Sequence, residues 1–217
     1  MRAIFNPDGP LFLFGEQLFN IMAVSILWAI CCIPIVTILP ATSALYYVAV
    51  KQVRKNNGSL LNNFFNSFRD SLRTGIPLTC IVLIYATTMV AVILTLNGMA
   101  KNGTTIPASD SLSFAAKALL LPLLLVLPYL SPVISRFSMG IGAHLKLSIV
   151  MSLRFFWRTI PLLVLIAGCV ILLWFIPYLI VILPGVCALV CSFLIEPSLR
   201  KYMPKPDINE ATPWYWE

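Results

Sequence analysis

The sequence has few charged residues for its length. Of its 217 residues, 11% are charged and 59% are apolar, whereas ordinary soluble domains contain about 25% and about 45–50%. A soluble fold of this size must cover its outside with polar groups, and this chain has too few of them. Lipid is the solvent that removes this requirement. The composition therefore predicts one all-α integral membrane domain, residues 1–217, with no room for a separate soluble module.

Groups that carry catalysis are also scarce. The only histidine is His144, which stands in a basic segment beside Lys146, and we expect its side chain to be solvated or interfacial. A nucleophile–histidine arrangement would depend on it alone, with no carboxylate predicted nearby. No acidic residue is predicted at mid-membrane depth, where it would suggest an ion path. Gly140–Gly142 lacks the lysine of a phosphate loop. The sequence predicts no enzyme, metal or cofactor.

The net charge of +7 does not point to nucleic acid. The basic residues stand in short segments between apolar runs and form no long basic surface with interleaved aromatic residues. Such a pattern is typical of the cytoplasmic loops of membrane proteins. The six cysteines lie within apolar runs, where they act as small core residues. Cys187 and Cys191 share a helix face but have no histidine or carboxylate beside them to suggest a metal pair.

Uncharged stretches locate the membrane spans. A spanning helix needs about 20 mainly apolar residues, and four long stretches of the chain carry no charge. In the first stretch, Pro34 and Pro40 mark the end of the span and a change of direction. In the last stretch, a break near Pro177 separates two short spans. Five spans result, at about residues 18–39, 74–96, 117–136, 160–177 and 179–196.

The basic residues orient these spans. Most of them fall between spans one and two, between spans three and four, and after span five. The positive-inside rule then puts the N-terminus outside and the C-terminal tail, 198–217, in the cytoplasm. With five spans, the charge of every loop agrees with this orientation. The expected location is the bacterial plasma membrane.

Two basic amphipathic segments, at about 41–72 and 140–158, are predicted to lie in the plane of the cytoplasmic interface. Within the first, residues 41–50 are short and rich in hydroxyls, so spanning, re-entrant and flat arrangements stay open. Each segment ends in an Arg-Thr and Ile-Pro step, at Arg73–Leu78 and Arg158–Leu162. This weak internal repeat predicts an in-plane helix that turns into a span, in a transporter-like repeat or a duplicated hairpin.

Both segments and the aromatic tail offer surfaces for lipid head groups or a protein partner. The candidate interface residues are Pro40, Thr42, Tyr46, Tyr47, Phe64, Phe65, Phe68, Arg69, Arg73, Arg154, Trp157, Arg158, Trp214 and Trp216.

Five short segments of the first 78 residues have a distinctive order: Asn6–Pro10, Cys32–Thr37, Pro40–Tyr46, Lys51–Arg54 and Asn63–Phe68. In this order and spacing they resemble the YesL family of small bacterial membrane proteins, and the rest of the chain matches mainly in hydropathy. The resemblance implies an accessory protein of carbohydrate ABC importers in Gram-positive bacteria. The family has no established catalytic residues to carry over.

We therefore expect a non-enzymatic accessory subunit of an oligosaccharide importer, with membrane lipids and permease subunits as partners. The ATPase and the sugar-binding protein of that importer would be indirect partners. One rival is a permease-like transport subunit, because Phe155–Leu163 is faintly similar to the end of a permease coupling loop. The glutamate, alanines and glycine of such a loop are missing upstream, in Ile141–Arg154. The other rival is a membrane sensor that regulates sugar uptake.

Overall fold

The computed structural model describes residues 10–53, 59–101, 109–137, 139–199 and 201–202. These residues form seven α-helices and contain no β-strand. The helices are α1 (Pro10–Cys31), α2 (Ile38–Val48), α3 (Leu60–Lys101), α4 (Ser109–Arg136), α5 (Ile141–Arg154), α6 (Phe156–Phe175) and α7 (Leu183–Leu199).

Three helices are long and apolar enough to cross a membrane. They provide the segments Leu60–Gly98, Phe114–Arg136 and Phe156–Phe175, on which the predicted spans 74–96, 117–136 and 160–177 fall. The other two predicted spans, 18–39 and 179–196, fall on shorter apolar helices in α1 and α7. The helices thus indicate a membrane protein.

The first predicted span is interrupted. Helix α1 ends at Cys31 and does not continue to residue 39, because Pro34 has no N–H to donate and its backbone is extended, with φ −76° and ψ 120°. A single 3-10 turn, Ile35–Thr37, follows. The Thr37 hydroxyl donates to the carbonyl oxygens of Cys31 and Pro34, both at 2.7 Å. The hydroxyl therefore satisfies acceptors that the broken helix leaves without partners.

Helix α2 lies in the centre of the bundle. Residues 41–50, whose arrangement the sequence left open, pack against α1, α3, α4 and α7. Ala41, Ala44 and Val48 have no exposed surface, so the segment does not lie flat on the outside. Small residues allow this close packing: a Cβ atom added to Gly75 of α3 would lie 2.6 Å from Cγ of Pro40.

Helix α3 is continuous over 42 residues. The predicted change of direction at Arg73–Leu78 does not occur, and Pro77 is accommodated inside the helix. In the second copy of the repeat the chain does turn, at Phe155 between α5 and α6. The two copies therefore share a sequence pattern but differ in backbone geometry. The predicted break near Pro177 is present as a 3-10 segment, Pro177–Val181.

Candidate site: a buried ion pair and two cavities

A buried ion pair links the end of α4 to α7. Arg136 Nη2 donates to Glu196 Oε1 at 3.0 Å, and the two side chains are only 2% and 5% exposed. The Tyr46 hydroxyl of α2 donates to the other carboxylate oxygen, Oε2, at 2.9 Å. Removing charges from water is costly unless they are paired and hydrogen-bonded. These three side chains therefore form one unit that holds α2, α4 and α7 together.

The hydrogen bond from Tyr46 to Glu196 predicts that loss of the Tyr46 hydroxyl lowers stability. Replacement of Tyr46 by phenylalanine removes a hydrogen bond to a buried carboxylate and leaves the packing of the ring in place. Bonds of this kind contribute about 1.5–3 kcal/mol, so we expect Y46F to lower the free energy of unfolding by about that amount. Denaturant unfolding in detergent measures the change. Tyr178, which is exposed, provides the control: Y178F should leave the unfolding transition unchanged.

An apolar cavity of about 420 Å³ adjoins Tyr46 of this unit. Its walls come from α1, α2, α4, α6 and α7. Tyr46 lines it at the end near Glu196, and a Thr42–Ser131 hydroxyl pair 2.8 Å apart supplies the polar groups of one wall. The other lining residues are mainly aliphatic. Three thiols also line it: Cys169, Cys187 and Cys191.

A polar cavity of about 400 Å³ adjoins Arg136 of the same unit. One face of α3 supplies six of its lining residues. Lys51, Arg136 and His144 contribute the nitrogen-bearing groups. Lys51 belongs to the π-helical turn Ala49–Val53 that follows α2, Arg136 to α4 and His144 to α5. The α3 residues recur every three or four positions and are Asn63, Asn66, Ser67, Asp70, Ser71 and Thr74.

His144 is buried at this cavity, which corrects the expectation of a solvated side chain. It is 1% exposed, and its Nδ1 atom has no hydrogen-bond partner within the described part of the chain. Burial lowers the pKa of His144, because desolvation disfavours the charged imidazolium. The expectation of no nearby carboxylate is corrected too, since Asp70 lines the same cavity.

The unit of Tyr46, Arg136 and Glu196 is in contact with both cavities. Tyr46 lines the apolar cavity and Arg136 lines the polar one, and both donate to the same Glu196 carboxylate. Glu196, which the sequence places at the cytoplasmic end of the last predicted span, is buried between α2, α4 and α7. A change in this one carboxylate would affect both cavities at once.

The predicted interface residues separate into a buried and an exposed group. Pro40, Tyr46 and Phe64 belong to the core. Thr42 lines the apolar cavity, and the Tyr47 hydroxyl accepts a hydrogen bond from Lys51 at 3.0 Å. Phe68 is half-buried. The residues that remain on the surface are Phe65, Arg69, Arg73, Arg154, Trp157 and Arg158.

The exposed arginines of the second segment are held by neighbours. Arg154 Nη1 donates to the Tyr202 hydroxyl at 3.1 Å, and Arg158 Nη1 donates to Ser198 at 3.0 Å. Trp157 between them is 86% exposed. Trp214 and Trp216, the predicted aromatic tail contacts, lie outside the described residues.

The described residues are helical and include three helices long and apolar enough to cross a membrane. Residues 21–97 match the family described as "Protein of unknown function, DUF624". YesL proteins generally fall under that description. No curated protein and no solved structure matches the chain. The matched segment contains α2 and the polar face of α3, and it does not include Arg136, His144 or Glu196.

Proposed function

We propose that the protein is a non-enzymatic accessory subunit of a bacterial carbohydrate ABC importer and packs against the permease subunits in the membrane. The sequence resemblance of the first 78 residues to the YesL family carries the choice of system. The outward face of α6 supports the packing role, because it offers a helix surface that the described residues leave uncovered.

That face follows a regular spacing. Residues 157, 160, 164, 167, 171 and 174 are all exposed, at alternating steps of three and four that place them on one side of α6. Bulky groups stand at the ends, where Trp157 and Trp174 are each 86% exposed. Small residues stand in the middle: a Cβ atom added to Gly168 would have nothing within 4 Å. Small residues let membrane helices approach closely, so this face suits a partner helix.

The proposed topology has five crossings, with the N-terminus outside and the C-terminus in the cytoplasm. The ends of α3, α4 and α7 near the polar cavity then face the cytoplasm, together with α5 and the basic residues around Trp157. Both the α6 face and this basic surface are available to a permease in the same membrane.

Gly168→Leu tests the α6 face. The added side chain enters open space in the chain itself, so the protein folds, but it separates α6 from a partner helix. We expect recovery of permease subunits with the tagged protein in mild detergent to fall at least fivefold. The matched control is Gly98→Leu in α3, where an added Cβ atom also has nothing within 4 Å and where recovery should stay at the wild-type level.

Two results would contradict the proposal. Permeases that are present and intact but never co-purify with the wild-type protein would remove the accessory role. Equal losses in the Gly168 and Gly98 variants would show that α6 is not the contact, because both substitutions then act only through bulk.

A second candidate is a transport subunit in its own right. The observation that favours it is that Tyr46 of the apolar cavity and Arg136 of the polar cavity both bind the Glu196 carboxylate, so that one ionisable group links the two cavities. Uptake of labelled oligosaccharide into vesicles containing this chain alone would support it. A sensor role instead predicts that deletion of the protein changes transcription without changing transport.

A further inference from the structure

The innermost wall of the polar cavity carries two nitrogen-bearing side chains. The Arg136 guanidinium and the His144 imidazole both line the cavity and are almost completely buried. The guanidinium is held by Glu196. The imidazole Nδ1 is buried and has no partner within the described residues. Buried polar atoms are nearly always hydrogen-bonded, so the orphan Nδ1 indicates that a polar ligand completes this wall.

The surroundings favour a negatively charged ligand. Lys51 also lines the cavity, with its Nζ atom 3.0 Å from the Tyr47 hydroxyl and 3.1 Å from Asn63 Oδ1. Asp70 is the one carboxylate among the lining residues, and it is exposed at the outer edge. Beyond the cavity the same end of the bundle carries an excess of cations: Arg69, Arg73, Lys146, Arg154, Arg158 and Lys201. Such a field concentrates anions near the opening.

The remaining wall suits hydroxyl groups. The amides and hydroxyls on the α3 face both donate and accept hydrogen bonds. Asn66 and Asp70 are exposed, so the cavity opens at this face. Next to it, Leu61 and Phe65 of α3 are exposed apolar side chains, which suit contact with acyl chains. Basic pockets between membrane helices are known to bind lipid head groups.

We propose that the polar cavity binds a phosphate ester whose alcohol part carries hydroxyl groups. The phosphate is directed to Arg136, Lys51 and His144, and the hydroxyl groups are directed to the polar face of α3. A phosphatidylglycerol head group and a soluble glycerol phosphate share this chemistry. The site lies outside the proposed α6 contact and does not depend on the importer role.

The single histidine makes the site directly observable. Full-length protein labelled with ¹⁵N-histidine gives the two ring-nitrogen signals of a single imidazole, and their titration by NMR reports on the cavity wall. We measure it in nanodiscs of phosphatidylcholine alone, of phosphatidylcholine with phosphatidylglycerol, and of phosphatidylcholine with soluble glycerol phosphate added. A bound phosphate favours the imidazolium, so we expect the midpoint to rise by about one pH unit or more.

The three conditions separate the two sources. If the midpoint of the His144 titration rises with phosphatidylglycerol and not with glycerol phosphate, the site belongs to the lipid head group. If the midpoint also rises with glycerol phosphate, the site accepts the soluble phosphate. No rise in either condition overturns the proposal. A change of the His144 signal on addition of an uncharged polyol, without a change of midpoint, would overturn it in favour of a neutral ligand.

A matched pair of variants separates binding from the general effect of a negative membrane surface. Asn66 lines the cavity, whereas Asn62 is exposed on the same helix and does not. Asn66→Asp adds repulsion at the site and should remove most of the ligand-dependent rise. Asn62→Asp should retain it. An equal rise in both variants, and in Lys51→Gln, would mean that the surface potential alone acts on His144.

Discussion

Replacing Glu196 by glutamine should lower the free energy of unfolding by about 3–5 kcal/mol, because Arg136 is then left as a buried charge without its counter-ion. The effect is large because both side chains are almost completely buried and Tyr46 donates to the same carboxylate. Thermal unfolding followed by tryptophan fluorescence in detergent measures it. The matched control is Asp70→Asn, the same change at an exposed carboxylate, which should shift stability by less than about 0.5 kcal/mol.

A double variant tests whether the cost comes from the unpaired charge. Arg136→Met combined with Glu196→Leu removes both charges and keeps apolar volume, and such replacements are often neutral or stabilising. We expect it to recover more than half of the stability lost in E196Q. If E196Q unfolds like the wild type, the ion pair does not hold α4 and α7 together. If the double variant is no better than E196Q, the loss arises from packing.

Substitution of Gly75 by alanine should also be strongly destabilising. The added Cβ atom would lie 2.6 Å from Cγ and 2.9 Å from Cδ of Pro40, and the proline ring cannot rotate away. Overpacking of this kind costs about 1–3 kcal/mol. At Gly98 and Gly168 the Cβ atom meets nothing within 4 Å. In these two positions alanine should instead stabilise the helix by up to about 1 kcal/mol, since glycine is the poorer helix former.

The sign of the effect therefore distinguishes the three glycines. Urea unfolding of G75A, G98A and G168A in the same detergent provides the comparison. A G75A protein as stable as G98A would show that α2 and α3 do not approach each other as closely as Pro40 and Gly75 indicate. The test needs no ligand and no partner.

The long apolar helices could be predicted from the sequence because charge spacing and proline position act locally. The break at Pro177 and the helices behind residues 74–96 and 117–136 follow from such local rules. The burial of α2 does not follow from such local rules. Its hydroxyls resemble an interfacial pattern, and only tertiary contacts show that Ser43 bonds to Ser71 at 3.2 Å and Thr42 to Ser131. The continuity of α3 through Pro77 is likewise decided by the α2 and α4 packing around it.

The candidate site was less accessible to sequence reasoning. One signal for the polar cavity is visible in the sequence, namely the helical spacing of Asn63, Asn66, Asp70 and Thr74. The phenylalanines of the same segment instead favour a helix in contact with lipid. Pairing of Arg136 with Glu196 connects residues 60 positions apart, for which no local pattern exists. His144 follows a glycine-rich stretch beside a lysine, which is typical of surface. Its burial depends on how α5 folds back over α3 and α4.

The uninterrupted α3 has a mechanical consequence. At about 1.5 Å per residue, its 42 residues extend roughly 60 Å, which is twice the thickness of a bilayer hydrocarbon core of about 30 Å. One rod therefore carries both the polar face at residues 63–74 and the apolar stretch that ends at Gly98. A tilt imposed at one end of this rod displaces the other end, so an event on one side of the membrane has a stiff lever to the opposite side.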